Sequence, residues 1–66
     1  MRLGIDVGST TVKTVVLDDQ YNVVHTEYRW HYSKVADTLA DMLARIRELF
    51  PDMDGADVAL SGSAGL

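Results

Sequence analysis

Leu3-Gly4-Ile5-Asp6-Val7-Gly8-Ser9-Thr10-Thr11-Val12-Lys13, continued by Thr14-Val15-Val16-Leu17-Asp18, decides the fold. Leu3, Ile5 and Val7 alternate with Gly4, Asp6 and Gly8, so Arg2 to Gly8 reads as a strand with an apolar and a polar side. Gly8-Ser9-Thr10-Thr11 is a turn, and the valine-rich run from Val12 to Leu17 is a second strand. The connection is too short for anything but an antiparallel pair. If Thr11 pairs back across this hairpin, Lys13 shares a face with Thr11, Val15 and Leu17.

Outward from this hairpin, Asp18-Asp19-Gln20-Tyr21-Asn22 is the next turn. A third strand then places Val24, Thr26, Tyr28, Trp30 and Tyr32 on one face and His25, Glu27, Arg29 and His31 on the other. One face is expected to be covered and the other wet, with the aromatic residues as core. His25 and His31 lie about 20 Å apart along an extended strand, too far to share a metal, and are expected to be solvated. From Val35 the period changes. Val35, Leu39, Met42, Leu43, Ile46, Leu49 and Phe50 follow an amphipathic helix. Ser33 is its expected N-cap and Pro51 its stop. A loop over residues 52–55 leads to a fourth strand, Asp57 to Ser61, and to the glycine-rich Ser61-Gly62-Ser63-Ala64-Gly65-Leu66.

The expectation is an α/β fold of order β-β-β-α-β. It has a three-stranded antiparallel meander, one helix, and a fourth strand able to lie parallel to a neighbour through a helical crossover. One helix covers one face, so the other face is expected to be bare. Open strand edges and an uncovered face also predict a homo-oligomer.

The totals narrow the function. The chain has 66 residues and a formal charge of −4, with its six basic residues scattered. No basic stripe for nucleic acid is present. No apolar run approaches the roughly 20 residues of a membrane span. The N-terminus does not read as a secretory signal, and a cytoplasmic location is expected. With no cysteine, disulfides and thiolate metal sites are excluded. A chain of this size buries only about 60% of its unfolded surface, so its core is marginal.

The chemistry concentrates at the first turn. Gly8 allows a tight reversal, and Ser9, Thr10 and Thr11 bring N–H groups and hydroxyls to a tip that suits a phosphate. Asp6, on the strand before it, suits a hydrated Mg²⁺ that bridges phosphate oxygens, and Lys13 adds a positive charge nearby. A plain β-hairpin with a polar turn reads the same residues without function. The stretch is neither a P-loop nor a dinucleotide fingerprint, because no Gly-Lys-Ser/Thr follows and the turn enters a strand rather than a helix.

The whole string resembles the first phosphate motif of the actin, hexokinase and Hsp70 ATPase superfamily. In that motif Asp-x-Gly-(Ser/Thr)-(Thr/Ser)-x-x-Lys stands between two apolar strands, the second ending in an acid. Here Asp6, Gly8, Ser9, Thr10 and Lys13 take those places and Asp18 closes the second strand. The element order is similar to the start of that superfamily's ribonuclease H-like subdomain. Tyr28-Arg29-Trp30-His31-Tyr32 and the Ser61–Leu66 ending narrow the resemblance further. They look like the activators of 2-hydroxyacyl-CoA dehydratases (CoA-substrate-specific enzyme activases) and the related ATPase subunits of benzoyl-CoA reductases, the BadF/BadG/BcrA/BcrD-like ATPase family.

The resemblance implies a homodimeric ATPase that drives an electron from a bridging iron–sulfur cluster into a dehydratase or reductase. It implies ATP and Mg²⁺ as ligands, with Asp6 as the catalytic and metal-orienting acid. Gly8, Ser9, Thr10, Thr11 and Lys13 would lie at the phosphates, and Ser61, Gly62, Ser63 and Gly65 would edge the cleft. Residues 1–66 would be the N-terminal portion of the ATPase domain. The second lobe, the second phosphate loop, the adenosine site and the cluster cysteines would lie beyond Leu66, so these residues alone would be inactive. A sugar or other small-molecule kinase of the same superfamily, and a free-standing interaction module, remain the alternative readings.

Overall fold

The computed structural model describes residues 1–53 and 55–62. Four strands, β1 (Arg2–Val7), β2 (Thr11–Leu17), β3 (Val23–Trp30) and β4 (Asp57–Gly62), form one sheet in the order β3-β2-β1-β4. β1–β2 and β2–β3 are antiparallel, and β4 runs parallel to β1. The single helix, α1 (Val35–Leu49), joins β3 to β4, and a short 3-10 turn, Pro51–Met53, follows it. This is the expected α/β architecture. Among these residues no helix is long and apolar enough to cross a membrane.

The core follows from the alternation. Leu3, Ile5 and Val7 of β1 and Val12 and Val16 of β2 share one side with the buried Met42 and Ile46 of α1. Leu39 and Leu43, one helical turn away, pack beside them half-buried. Leu49, expected on the apolar stripe, is instead 50% exposed. It lies on the flank of that stripe, and Phe50 closes the end against His25 with ring centroids 5.9 Å apart. Phe50 still donates its N–H to the Ile46 carbonyl, and Pro51 ends α-helical pairing there.

Expectations for β3 with His31, and for the start of the helix, are corrected. The covered side of β3 carries His25, Glu27 and Arg29, and the aromatic side is bare, with Tyr28 65% and Trp30 59% exposed. The register explains it. His25, Glu27 and Arg29 stand opposite Val16, Thr14 and Val12, whose side chains the helix already covers. Glu27 is ion-paired with Arg29 beneath the edge of the sheet. His31 is not solvated either but 5% exposed. The second correction is the helix start. Lys34 is the N-cap and makes no side-chain cap bond. Ser33 adopts a left-handed φ of 64° and gives its N–H to His31 Nδ1, so its conformation is committed to His31 rather than to the helix.

The β2–β3 turn is closed by Asp18. Its Oδ1 accepts the N–H groups of Gln20 and Asn22, each at 2.9 Å. The Asn22 N–H, with the smaller help of the Asn22 side chain and the Gln20 N–H, holds the Asp18 carboxyl below the usual carboxylate range. The acid that ends β2 therefore has a structural task.

Ile46→Ala removes a side chain that is 1% exposed and is expected to cost about 2–5 kcal/mol. Domains carry roughly 0.05–0.15 kcal/mol of stability per residue, so that loss takes a large share of the total. Leu49→Ala is expected to stay within about 0.5 kcal/mol. Urea unfolding followed by circular dichroism checks the contrast.

Candidate functional site

β1 turns Gly4 and Asp6 to the face that α1 does not cover. β2 turns Lys13 and Val15 to the same face, and β4 contributes Ala59 and Ser61. The registers set these residues in rows. Ser61, Asp6 and Lys13 are successive partners across β4, β1 and β2, and Ala59, Gly4 and Val15 form the row beside them. Directly opposed Cβ atoms in an antiparallel pair lie about 4.5–5.5 Å apart, so the Asp6 and Lys13 side chains start as neighbours. Ser61 Oγ donates to Asp6 Oδ1 at 3.2 Å.

These rows line an open depression of about 330 Å³. Its floor exists because Gly4 and Ala59 are small. A Cβ at Gly4 would meet nothing closer than the Val15 carbonyl at 3.9 Å, so packing does not demand glycine there. Glycine inside a strand weakens it and often marks a place kept clear for a ligand. Reading the sequence for site residues missed Gly4 and Ala59. The signal available was a glycine in mid-strand beside the acid.

Two residues past Asp6, the turn takes its shape from Gly8. The Gly8 N–H donates to the Thr11 carbonyl at 2.7 Å. The Gly8 N–H is thereby spent inside the turn, which leaves the N–H groups of Ser9, Thr10 and Thr11 as the ones expected to face an anion. A Cβ on Gly8 would stand 3.3 Å from Thr11 Oγ1, a tight fit that favours glycine. Ser9 and Thr10 are exposed at the tip and Thr11 is half-buried.

Gly62 has a steric reason to be glycine. A Cβ there would fall 2.3 Å from the Val7 carbonyl oxygen, closer than side-chain carbon can come. It lets β4 reach the site end of β1. Ser63 and Gly65 lie outside the described residues. The structure thus brings Asp6, Lys13 and Ser61 together on one face, with Gly8 to Thr11 and Gly62 at the same end of the sheet. His31, which the sequence did not single out for the site, makes contact with the turn, with Nε2 3.1 Å from the Gly8 carbonyl oxygen.

The donor set limits what can be held. Among the described residues no three or more His, Asp or Glu side chains converge on a metal position. One carboxylate beside a serine and a lysine fits a hydrated Mg²⁺ that arrives with phosphates, since Mg²⁺ keeps several waters and uses one or two carboxylates. The chain has no cysteine and does not fit an iron–sulfur cluster. No family model, curated protein or solved structure matches this chain.

Gly62→Ala is expected to separate the end of β4 from β1 and to break the Ser61–Asp6 bond while leaving the β1–β2 hairpin paired. Amide exchange should speed up across the Val7–Gly62 pairing and stay unchanged at Thr14 and Val16.

Proposed function

We propose that this chain supplies the first phosphate-binding corner of a Mg²⁺·ATP site, in an ATPase of the actin, hexokinase and Hsp70 type. The observation that carries the reading is Asp6, bonded to Ser61 and standing opposite Lys13 on a bare face, two residues before a hydroxyl-rich turn. Asp18 uses its carboxylate to close a turn, whereas Asp6 has one oxygen on Ser61 and borders an open depression that packing does not require.

Bound Mg²⁺ would neutralise charge on the phosphate oxygens. The chain's own residues position. Ser61 occupies Oδ1 of Asp6 and leaves the second oxygen to accept from a metal-bound water. Lys13 provides the cation that a polyphosphate needs and offsets the charge of Asp6. Ser9 and Thr10 offer hydroxyls at the tip.

The resemblance to 2-hydroxyacyl-CoA dehydratase activators and benzoyl-CoA reductase ATPase subunits extends the proposal. There the hydrolysis would drive electron transfer into the dehydratase or reductase, through a cluster held by cysteines that these 66 residues lack. The expected self-association draws support from the uncovered Tyr28 and Trp30 and the fully exposed β4 edge.

Calorimetric titration of the chain with Mg²⁺·ATP is expected to show weak, EDTA-sensitive binding. Asp6→Asn and Lys13→Ala should each weaken it about tenfold, the effect of one lost charged contact. No phosphate should be released, because phosphoryl transfer needs charge stabilisation from several sides and this face offers one. Binding indifferent to EDTA and to Asp6→Asn contradicts the reading, as does turnover that Asp6→Ala abolishes. Sedimentation across a dilution series should show reversible dimerisation; a monomer at every concentration removes the oligomer from the proposal.

A further inference from the structure

His31 follows β3 and lies on its covered side, and its polar groups are all engaged. Its Nδ1 faces the Ser33 N–H at 3.0 Å. A nitrogen that accepts from an N–H carries no proton, so Nδ1 is bare and the neutral ring bears its proton on Nε2. That Nε2–H then donates to the Gly8 carbonyl at 3.1 Å. The His31 backbone N–H donates to the Thr10 carbonyl at 2.9 Å, and its carbonyl accepts from Lys34 N–H at 2.7 Å. One residue therefore grips the first turn at both ends while fixing the backbone that leads into α1.

The peptide plane turns this grip into orientation. In a trans peptide the C=O and the next N–H point in opposite directions. With the Gly8 and Thr10 carbonyls drawn to His31, the N–H groups of Ser9 and Thr11 are turned away from it. Buried donors and acceptors that must be satisfied make such an arrangement costly to leave. The left-handed backbone at Tyr32 and Ser33, φ 49° and 64°, is the strain that brings the Ser33 N–H to Nδ1.

We propose that His31 is the positioning residue of the phosphate turn, holding Gly8 to Thr11 in its binding shape as the neutral Nε2–H tautomer. Its functional meaning rests on the phosphate-site reading above; its hold on the turn does not.

The test compares two substitutions. In His31→Gln the side-chain amide nitrogen reaches the Nε2 position and keeps the bond to Gly8. In His31→Asn the oxygen sits at the Nδ1 level and keeps the Ser33 bond, but nothing reaches Gly8. Long-range ¹H–¹⁵N spectra of the unmodified chain should show Nε2 protonated and Nδ1 bare. Amide exchange at Gly8 and at residue 31, whose N–H groups donate to the Thr11 and Thr10 carbonyls, should rise about three- to tenfold in His31→Asn, as the loss of one hydrogen bond requires, and return to the original rate in His31→Gln. Thr14 and Val16 should be unchanged in both and report that the fold is intact. Affinity for Mg²⁺·pyrophosphate should follow the same order, lower in His31→Asn and restored in His31→Gln. An Nδ1–H tautomer, unaltered exchange at Gly8 and residue 31 in His31→Asn, or binding that ignores a loosened turn each overturns the proposal. If the unmodified chain binds no Mg²⁺·pyrophosphate, the phosphate-site reading fails, and the tautomer and exchange data still decide whether His31 holds the turn.

Discussion

Asp6 faces Lys13 because β1 buries Leu3, Ile5 and Val7 in only one register against β2. A slip by one residue would exchange the faces, put Asp6 under α1 and expose three apolar side chains. An unpaired carboxylate under the helix would cost several kcal/mol, far more than a small domain can lose. The hairpin closed by Gly8 and Thr11 sets the same register from its other end. That one constraint sets Gly4, Asp6, Lys13 and Val15 on the open face.

β4 adds to the site by running parallel to β1. Parallel pairing aligns Ser61 with Asp6 and Ala59 with Gly4, so one serine reaches the acid and two small residues leave space. The same strand is exposed along its whole length. Val58 and Leu60 sit beside Leu3 and Ile5 on the helix-covered face yet remain 62% and 57% exposed, because α1 packs over the β2 and β3 half of that face and does not extend over β4. The site is therefore built across a buried strand and an exposed edge strand, and the absence of a side chain at Gly62 lets the two come close at the site end.

β1, β2, α1 and the stop at Pro51 were legible because each is written in local periodicity or local sterics. Asp6, Lys13 and the Gly8 turn were legible for the same reason. The side of β3 was not, since alternation shows that two faces differ without saying which one is covered. The aromatic face looked like core, and the pairing of His25, Glu27 and Arg29 with Val16, Thr14 and Val12 decided otherwise. His31 was hidden by distance. Its partner Gly8 is 23 residues away in sequence, and no local pattern announces a contact of that range. The failed Ser33 cap has the same origin, because the Ser33 backbone answers to His31. Ser61 was legible as part of a glycine-rich ending, but its bond to Asp6 needed the parallel register.

The central claim is that the bare face around Asp6, Lys13 and Ser61, with the turn above it, is a phosphate site. The most direct measurement is an amide chemical-shift map of the ¹⁵N-labelled chain on addition of pyrophosphate, with Mg²⁺ and then with EDTA. The account predicts Mg²⁺-dependent shifts concentrated at Asp6, Gly8 to Lys13 and Ser61, with α1 and the β2–β3 turn unmoved. Shifts centred on the exposed aromatic residues of β3, or no shifts with Mg²⁺ at saturating pyrophosphate, would contradict it.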